Sequence, residues 1–137
     1  MQPEDLVIYL DENHCNNKCI LSVLNQAGIQ VKRHLDYFAR GTPDEEWLPK
    51  VGMEAWVLLT TDVRIRYRSA ERHAVIQHNI RMFYFSKNNM SGRQMGDALQ
   101  KALPDIQKLC SKQPPPFFAA ITRTGEVHLR EKLADFS

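Results

Sequence analysis

The stretch Leu6-Val7-Ile8-Tyr9-Leu10-Asp11-Glu12 joins an apolar run to an acidic pair. Apart from Tyr9 the run is aliphatic, which is typical of a β-strand that is covered on both faces. Such strands belong to parallel sheets between layers of helices, so the stretch predicts an α/β fold. Ligands of these sheets bind beyond the carboxyl ends of the strands. Asp11 and Glu12 would lie at that edge, where two negative charges suit a divalent metal ion.

Length and composition limit the class of protein. The 137 residues predict a single domain over residues 1–137, with a C-terminal tail, residues 131–137, that frays. An apolar fraction of 43% and a charged fraction of 25% are ordinary for a soluble globular protein. The chain shows no export signal and no apolar run of membrane length, and its three cysteines are an odd number. We therefore expect a cytoplasmic protein with reduced thiols and no membrane contact.

Apolar periodicity predicts the remaining elements of the fold. Further strands are expected at residues 29–33, 55–61, 80–86, 117–122 and 126–130. A helical pattern precedes each of these strands except the last. Thr124-Gly125 provides a turn between the last two strands, which predicts a C-terminal β-hairpin. The predicted architecture is a three-layer α/β/α domain with a central, mainly parallel sheet.

A second apolar strand also ends in an aspartate. Residues 55–61 are followed directly by Asp62, as the first strand is followed by Asp11. Adjacent strands lie about 4.8 Å apart, so neighbouring strands with this ending would bring the two carboxylates together. Two carboxylates at such a distance repel each other unless a cation or a proton lies between them. This repeated ending is the most informative feature of the sequence.

The start of a helix supplies a third candidate acid. Thr42 has the residue type of an N-cap, and Glu45, three residues later, would complete a capping box. Asp44 precedes Trp47 and Leu48 by three and four residues and so shares the helix face that packs inward. Two interpretations of Asp44 remain open at this point: it points at the edge of the sheet, or it only complements the helix dipole.

A basic cluster follows Asp62. Its four arginines, with a single acidic residue among them, suit the binding of phosphate groups; a solvated loop that keeps the protein soluble is the alternative. The candidate ligands are hard carboxylate oxygens, which favour Mg²⁺ or Mn²⁺. The sequence lacks a glycine-rich phosphate loop and a serine nucleophile elbow. Metal-dependent hydrolysis of a phosphodiester therefore remains as the predicted reaction.

Residues 8–13, 41–48 and 56–62, with 64–66, carry a family resemblance. Their order and spacing over roughly the first 85 residues resemble the PIN-domain ribonuclease superfamily, in particular the compact PIN-like proteins grouped with VapC-type toxins of toxin–antitoxin systems. The resemblance implies a parallel-sheet α/β/α fold, a Mg²⁺ or Mn²⁺ site at the carboxyl edge and endonucleolytic cleavage of RNA. It also implies a cognate antitoxin as a partner, and a homodimer.

The resemblance also assigns roles to the acids. Asp11 matches the first acid of the family, Asp62 the acid after the later strand, and Asp44, or Glu45 beside it, the acid of the helix. The family usually has a fourth acid shortly after the third, but residues 63–70 contain no carboxylate. Either Glu12 or Glu46 would then complete the site, or the metal would be held weakly. The predicted site thus has three catalytic acids that also bind the metal, two further candidate metal ligands and four phosphate-binding arginines: Asp11, Asp44 and Asp62; Glu12 and Glu45; and Arg64, Arg66, Arg68 and Arg72.

Two other classes of function fit part of the sequence. A phosphoacceptor signalling domain of the receiver type would use the acidic pair after the first strand, Asp62 and the hydroxyl of Ser86. It would also need a lysine after a fifth parallel strand, whereas residues 117–122 lead into the hairpin without one. The third possibility is a PIN-like module that binds RNA or a protein without cutting.

Overall fold

The computed structural model describes residues 5–87 and 89–132. Within them the chain forms six strands and four α-helices that alternate up to the last hairpin. In chain order these are β1 (Val7–Leu10), α1 (Lys18–Gln26), β2 (Gln30–Arg33), α2 (Asp44–Met53), β3 (Val57–Thr60), α3 (Ser69–Gln77), β4 (Arg81–Phe85), α4 (Gly92–Lys112), β5 (Phe117–Ile121) and β6 (Val127–Lys132). Two 3₁₀ turns, His34–Asp36 and Val63–Arg66, follow β2 and β3.

The six strands form one sheet in the order β2-β1-β3-β4-β5-β6. Every neighbouring pair is parallel except β5 and β6, which are antiparallel. The predicted α/β class, the mainly parallel sheet and the C-terminal hairpin are therefore confirmed. The pairing of β1 with β3 decides the position of the site, because Leu10 lies opposite Leu59 and the two strands end side by side.

Helices cover both faces of the sheet, and this explains why the central strands are apolar throughout. Ile8 and Leu10 pack in one core with residues of α1 and α4, whereas Tyr9 packs in a second core with residues of α2 and α3. Alternate residues of a strand point to opposite faces, so the same short strand contributes to both cores. Complete burial of a large aliphatic side chain contributes roughly 1.5–3 kcal/mol to stability.

Tyr9, the exception in the aliphatic run, lies between two tryptophans. Its ring stacks on that of Trp47 from α2, at a centroid distance of 5.5 Å, and on that of Trp56 next to β3, at 5.7 Å. Aromatic pairs of this kind add about 0.5–1.5 kcal/mol each beyond the area they bury. The stack holds the first turns of α2 against the sheet, close to the carboxyl end of β1.

The N-terminus of α2 differs from the prediction. The helix begins at Asp44, its N-cap is Pro43, and no side chain caps it. The hydroxyl of Thr42 instead donates to the carbonyl oxygen of Ala39, at 2.7 Å. The predicted capping box of Thr42 and Glu45 is therefore wrong, because the loop before the helix uses the hydroxyl on which the box depends.

β6 extends beyond the predicted start of the tail. Glu131 and Lys132 belong to β6, and Glu131 forms ion pairs with Arg66 and Arg72. These pairs link the end of β6 to the segment after β3, which accounts for the longer strand. Residues 133–137, the rest of the predicted tail, lie outside the described residues.

The three cysteines are free thiols in the structure. Cys15 and Cys110 are buried, Cys19 is exposed, and all three are free.

The 21 residues of α4 would be long enough to cross a membrane, but charged side chains recur along the helix. None of the helices described is both long and apolar enough to be a membrane span.

We predict that Gly52→Ala destabilises the protein. A Cβ atom at Gly52, in α2, would overlap the backbone carbonyl of His78 at the end of α3. Alanine favours a helix by about 1 kcal/mol over glycine, but the overlap involves backbone and forces α2 and α3 apart, which typically costs about 1–3 kcal/mol. The net loss should be about 1 kcal/mol, measured by urea unfolding.

Gly92→Ala is the control for this prediction. A Cβ at Gly92 would approach only side-chain atoms of Asn17, the nearest at 3.2 Å, and a side chain yields more easily than backbone. Its loss of stability should therefore be smaller. A Gly52→Ala protein as stable as the unmodified one would contradict the packing argument.

Candidate active site

The carboxyl ends of β1 and β3 border a cavity of about 150 Å³. Its lining includes Asp11, Glu12, Asp44 and Asp62, which arrive from two strand ends and the start of α2. The structure therefore brings the three predicted aspartates together at one cavity, with Glu12 beside them. Glu45 and Glu46 are not among its lining residues; both are exposed on the first turn of α2.

Asp11 is the most buried of these acids, with 5% of its surface exposed. The hydroxyl of Thr60 donates to its Oδ2, whereas its Oδ1 is buried without a hydrogen-bond partner among the described residues. The pKa of Asp11 is raised to about 6: burial is the largest cause, the nearby charges of Asp62 and Asp44 act in the same direction, and the hydrogen bond from Thr60 opposes them. The site therefore contains a carboxylate whose charge is poorly compensated.

Thr60, which the sequence analysis did not single out, connects the two strand ends. Its hydroxyl oxygen accepts a hydrogen bond from the backbone N–H of Asp62, at 2.9 Å, while it donates to Asp11. The position follows from the register of the sheet, because Leu10 lies opposite Leu59 and the next residues of both strands are then adjacent. A polar residue at the end of a buried strand was the available signal.

Asp44 lies both at the N-terminus of α2 and on the cavity, so neither interpretation of it excludes the other. Its Oδ1 accepts a hydrogen bond of 3.0 Å from the indole N–H of Trp47. Burial raises the pKa of Asp44, and the charge of Asp62 adds to this shift. The charge of Asp62 thus raises the pKa of both Asp11 and Asp44, as expected of carboxylates that repel one another across a cavity.

Asp62 is engaged by arginines. Its Oδ1 accepts hydrogen bonds of 3.1 Å from the backbone N–H and from the Nε of Arg64. Arg68 lies 4.0 Å from its other oxygen and also pairs with Glu71. The arginines nearest the cavity thus partly neutralise one of its acids.

The other two predicted arginines are tied to the sheet. Arg72 and Arg66 lie 2.7 and 3.3 Å from the carboxylate of Glu131 in β6, and Arg66 also donates to the hydroxyl of Tyr84 in β4, at 2.9 Å. Contacts with Glu131 and Tyr84 therefore give Arg66 and Arg72 a structural role. Phosphate binding by the four arginines stays a prediction.

His34 lines the same cavity and was missed by the sequence analysis. It is 1% exposed, and its Nδ1 lies 2.5 Å from the hydroxyl of Tyr9. Burial raises the pKa of Tyr9 and lowers that of His34, so both groups are neutral. We assign the tyrosine hydroxyl as the donor to Nδ1, which leaves the imidazole proton on Nε2. That N–H has no hydrogen-bond partner among the described residues and lies 3.8 Å from Oε1 of Glu12.

Glu12 lies near two N–H groups, one of which forms a hydrogen bond with it. Its Oε1 accepts a hydrogen bond of 2.8 Å from the backbone N–H of Gly41 and faces the N–H of His34. The chain from Tyr9 through His34 to Glu12 joins residues that are 25 and 22 positions apart. No local pattern indicates such a link; the one available signal is a tyrosine inside an aliphatic strand, whose buried hydroxyl needs a polar partner.

The donors at the cavity suit a hard divalent cation, but they are not gathered into a cage. The orphaned Oδ1 of Asp11 and the carboxylates of Asp44 and Asp62 are oxygen ligands of the kind that Mg²⁺ and Mn²⁺ prefer. Among the described residues, no three His, Cys, Asp or Glu side chains are grouped so that they could hold a metal ion together. Mg²⁺ commonly uses only one or two carboxylates and keeps several waters, so the donor set fits this mode of binding.

Residues 6–87 match a family model described as a PIN-like domain. The matched segment extends from β1 to just beyond β4 and contains every residue named at the cavity, while α4, β5 and β6 lie outside it. No curated protein and no solved structure gives a significant match to the chain.

We predict that Asp11→Asn changes how stability depends on pH. The pKa of Asp11 in the folded protein, about 6, lies above its ordinary value of 3.8, so between these values the folded chain holds a proton that the unfolded chain has released. The stabilising contribution of this carboxyl is complete at low pH and is lost as the pH rises through 6, by at most about 3 kcal/mol. Unfolding curves from pH 4 to 8 should show the variant gaining stability relative to the unmodified protein over this window.

Asp97→Asn provides the same chemical change at an exposed position on α4. Its stability difference from the unmodified protein should not change in this way between pH 4 and 8. A constant difference for Asp11→Asn as well would show that the Asp11 carboxyl is not held in a penalising environment.

Proposed function

The chain belongs to the PIN-like domain family, whose members are usually nucleases, and from this premise we propose that it is a Mg²⁺- or Mn²⁺-dependent endoribonuclease. The observation that carries the proposal is the buried carboxylate of Asp11, with one oxygen unpartnered, at a cavity that Asp44 and Asp62 also line. Burying several like charges at one place is unfavourable unless a cation or proton offsets them. This arrangement is best suited to binding a cation that keeps open coordination positions for a phosphate group.

Each acid has a distinct part in the proposed site. Asp11 and Asp62, at adjacent strand ends, would hold the metal, with Asp44 and Glu12 as further ligands directly or through water. When bound, Mg²⁺ or Mn²⁺ lowers the pKa of a coordinated water and neutralises charge on a phosphoryl oxygen. Asp62 would exchange contacts with Arg64 for the cation, which frees that guanidinium for the phosphate of the substrate.

The neighbouring residues orient these acids. Thr60 directs Asp11 through a hydrogen bond, and the indole of Trp47 directs Asp44 in the same way. Tyr9 and His34 present an N–H towards Glu12. Such supporting hydrogen bonds limit the rotation of a carboxylate and so favour a single arrangement of ligands.

We extend the proposal to a biological role as the toxin of a VapC-type toxin–antitoxin system. The support is the order of the three acidic segments, residues 8–13, 41–48 and 56–62. The role implies RNA as substrate, a cognate antitoxin as protein partner, a homodimer and action in the cytoplasm. Arg64 and Arg68, the more exposed of the four arginines, are the ones we assign to the RNA backbone.

A PIN-like module that binds RNA without cutting is the second candidate. The ion pairs of Asp62 with Arg64 and Arg68 favour it, as does the lack of a three-acid cage among the described residues. A receiver-type signalling domain is set aside, because the chain is PIN-like and β5 leads into an antiparallel strand. Ser86, the hydroxyl that it would use, donates to the carbonyl of Ile121 at 3.3 Å.

We expect the purified protein to cut mixed RNA with Mg²⁺ or Mn²⁺ and not with a chelator. Asp11→Asn and Asp62→Asn should each lower the rate at least about 100-fold, because the metal contributes several kcal/mol to stabilisation of the transition state. The rate of product formation on a labelled RNA is the measurement. Asp97→Asn, purified in the same way, should keep full activity.

The two variants also exclude a contaminating nuclease. Cutting that persists in both Asp11→Asn and Asp62→Asn would overturn the proposal. RNA binding by a protein that never cuts, with or without metal, would select the binding module instead.

A second comparison tests the two further candidate metal ligands, Glu12 and Glu45, against each other. Glu12→Gln should reduce metal affinity and cleavage roughly 10–100-fold, as loss of a supporting ligand does, because Glu12 lines the cavity. Glu45→Gln should leave both unchanged, since Glu45 is exposed and is not part of that lining. Isothermal titration with Mn²⁺ gives the affinity independently of activity. A greater loss in Glu45→Gln than in Glu12→Gln would reverse the assignment.

A further inference from the structure

The carboxyl edge of the sheet is acidic at one part and basic at the next. Asp11 and Asp62 follow β1 and β3, whereas Lys87 and Arg123 each lie two residues beyond the ends of β4 and β5. Phe85 is paired with Ile121 in the parallel register of these strands. The pairing continues past it through a hydrogen bond of 3.0 Å from the N–H of Ser86 to the carbonyl of Ile121. Lys87 and Arg123 are therefore placed at the same level of the edge.

The two cations share a cavity of about 180 Å³, which Asn89 and Met90 also line. This volume is several times the roughly 30 Å³ that one water molecule occupies in the liquid, so a hydrated phosphate group fits. The cavity offers an ammonium, a guanidinium and an amide as hydrogen-bond donors. No acidic residue is among the described residues that line it.

Neither cation is neutralised within the part of the chain described. Lys87 and Arg123 are exposed, and no carboxylate among residues 5–87 and 89–132 lies within ion-pair distance of either. The arginines after β3 differ in this respect. Arg64 and Arg68 pair with Asp62, and Arg66 and Arg72 pair with Glu131.

We propose that Lys87 and Arg123 form a phosphate-binding site for the sugar–phosphate backbone of a single-stranded RNA that also passes the acidic cavity. This inference rests on the proposed function, because it takes the polynucleotide to be the substrate of that cavity. Strand spacings of about 4.8 Å separate β3 from β4 and β4 from β5, so the basic pair lies on the order of 10 Å from the end of β3. A strand of RNA laid along the edge reaches both places, and the pair holds a phosphate away from the one that is cut.

Backbone contacts of this kind position a nucleic acid without selecting its sequence. The same site also explains how a chain with a net charge of only +2 attracts RNA towards a cavity lined by carboxylates. The attraction is local: positive charge lies beside the acids at the edge, where it offsets their repulsion of the phosphates.

The test measures binding of a short labelled single-stranded RNA by fluorescence anisotropy, in chelator, over a range of salt concentrations. The double variant Lys87→Gln, Arg123→Gln should bind about 10-fold more weakly at low salt. The slope of log K against log salt should fall by about 1.4, which is 0.7 for each of two lost phosphate contacts. Lys87→Arg, which keeps the charge, should retain the affinity and the slope.

The matched control is the double variant Lys108→Gln, Lys112→Gln. Both lysines are exposed near the C-terminus of α4. Because α4 runs from the carboxyl end of β4 back to the amino end of β5, they lie at the opposite edge of the sheet. The control removes the same net charge and should change affinity and slope much less; an equal effect of the two double variants would overturn the inference. Unfolding curves confirm that both fold.

Two further arms complete the experiment. The first arm repeats the binding measurement with DNA of the same sequence, which has the same phosphodiester chemistry. If the double variant Lys87→Gln, Arg123→Gln bound DNA more weakly than the unmodified protein does but bound RNA equally well, the assignment to RNA would be overturned. Because binding is measured without metal, its result is separate from cleavage. If the protein binds RNA through Lys87 and Arg123 but does not cleave it, the proposed ribonuclease activity is refuted and the proposed phosphate site is not. If the protein cleaves RNA but its RNA binding does not depend on these two residues, only the phosphate site is refuted.

Discussion

Asp11 lies at the end of a strand that is buried on both faces, where its charge is penalised although Thr60 donates a hydrogen bond to its carboxylate. One hydrogen bond does not replace the water that a carboxylate loses on burial, which is why burial raises the pKa of this acid to about 6. The arrangement costs stability in the absence of a cation or a proton. Such a cost at one carboxylate, beside two others, is characteristic of functional sites rather than of structural ion pairs.

The same strand that ends in this acid also holds the site in place. Tyr9 stacks between Trp47 and Trp56, and its hydroxyl fixes the imidazole of His34. The indole N–H of Trp47 in turn donates a hydrogen bond to Asp44. Two of the groups that orient the acids are therefore anchored in the core beneath the cavity. A site supported by packed aromatic rings on a sheet and a helix keeps its geometry better than one built on loops alone.

Charge at the sheet edge is arranged by pairing as much as by composition. The arginine cluster after β3 is conspicuous in the sequence, yet each of its members has a carboxylate partner in the fold. Lys87 and Arg123 are inconspicuous because they are 36 positions apart, and neither forms an ion pair with a carboxylate of the described residues. An unpaired cation is available to a phosphate at a smaller cost than one that must first leave a carboxylate.

The sequence by itself determined the class of fold and the acids at its edge. Apolar runs set the strands, since burial on both faces requires them, and an aspartate after two such runs was sufficient to expect Asp11 and Asp62 at one cavity. The tertiary structure decided which partners these and other polar groups meet. His34 lies 25 positions from Tyr9, and Glu131 lies 59 from Arg72, so no local pattern could connect them. Local sequence encodes periodicity and burial, but strand order and register, which it does not encode, decide which side chains share the carboxyl edge.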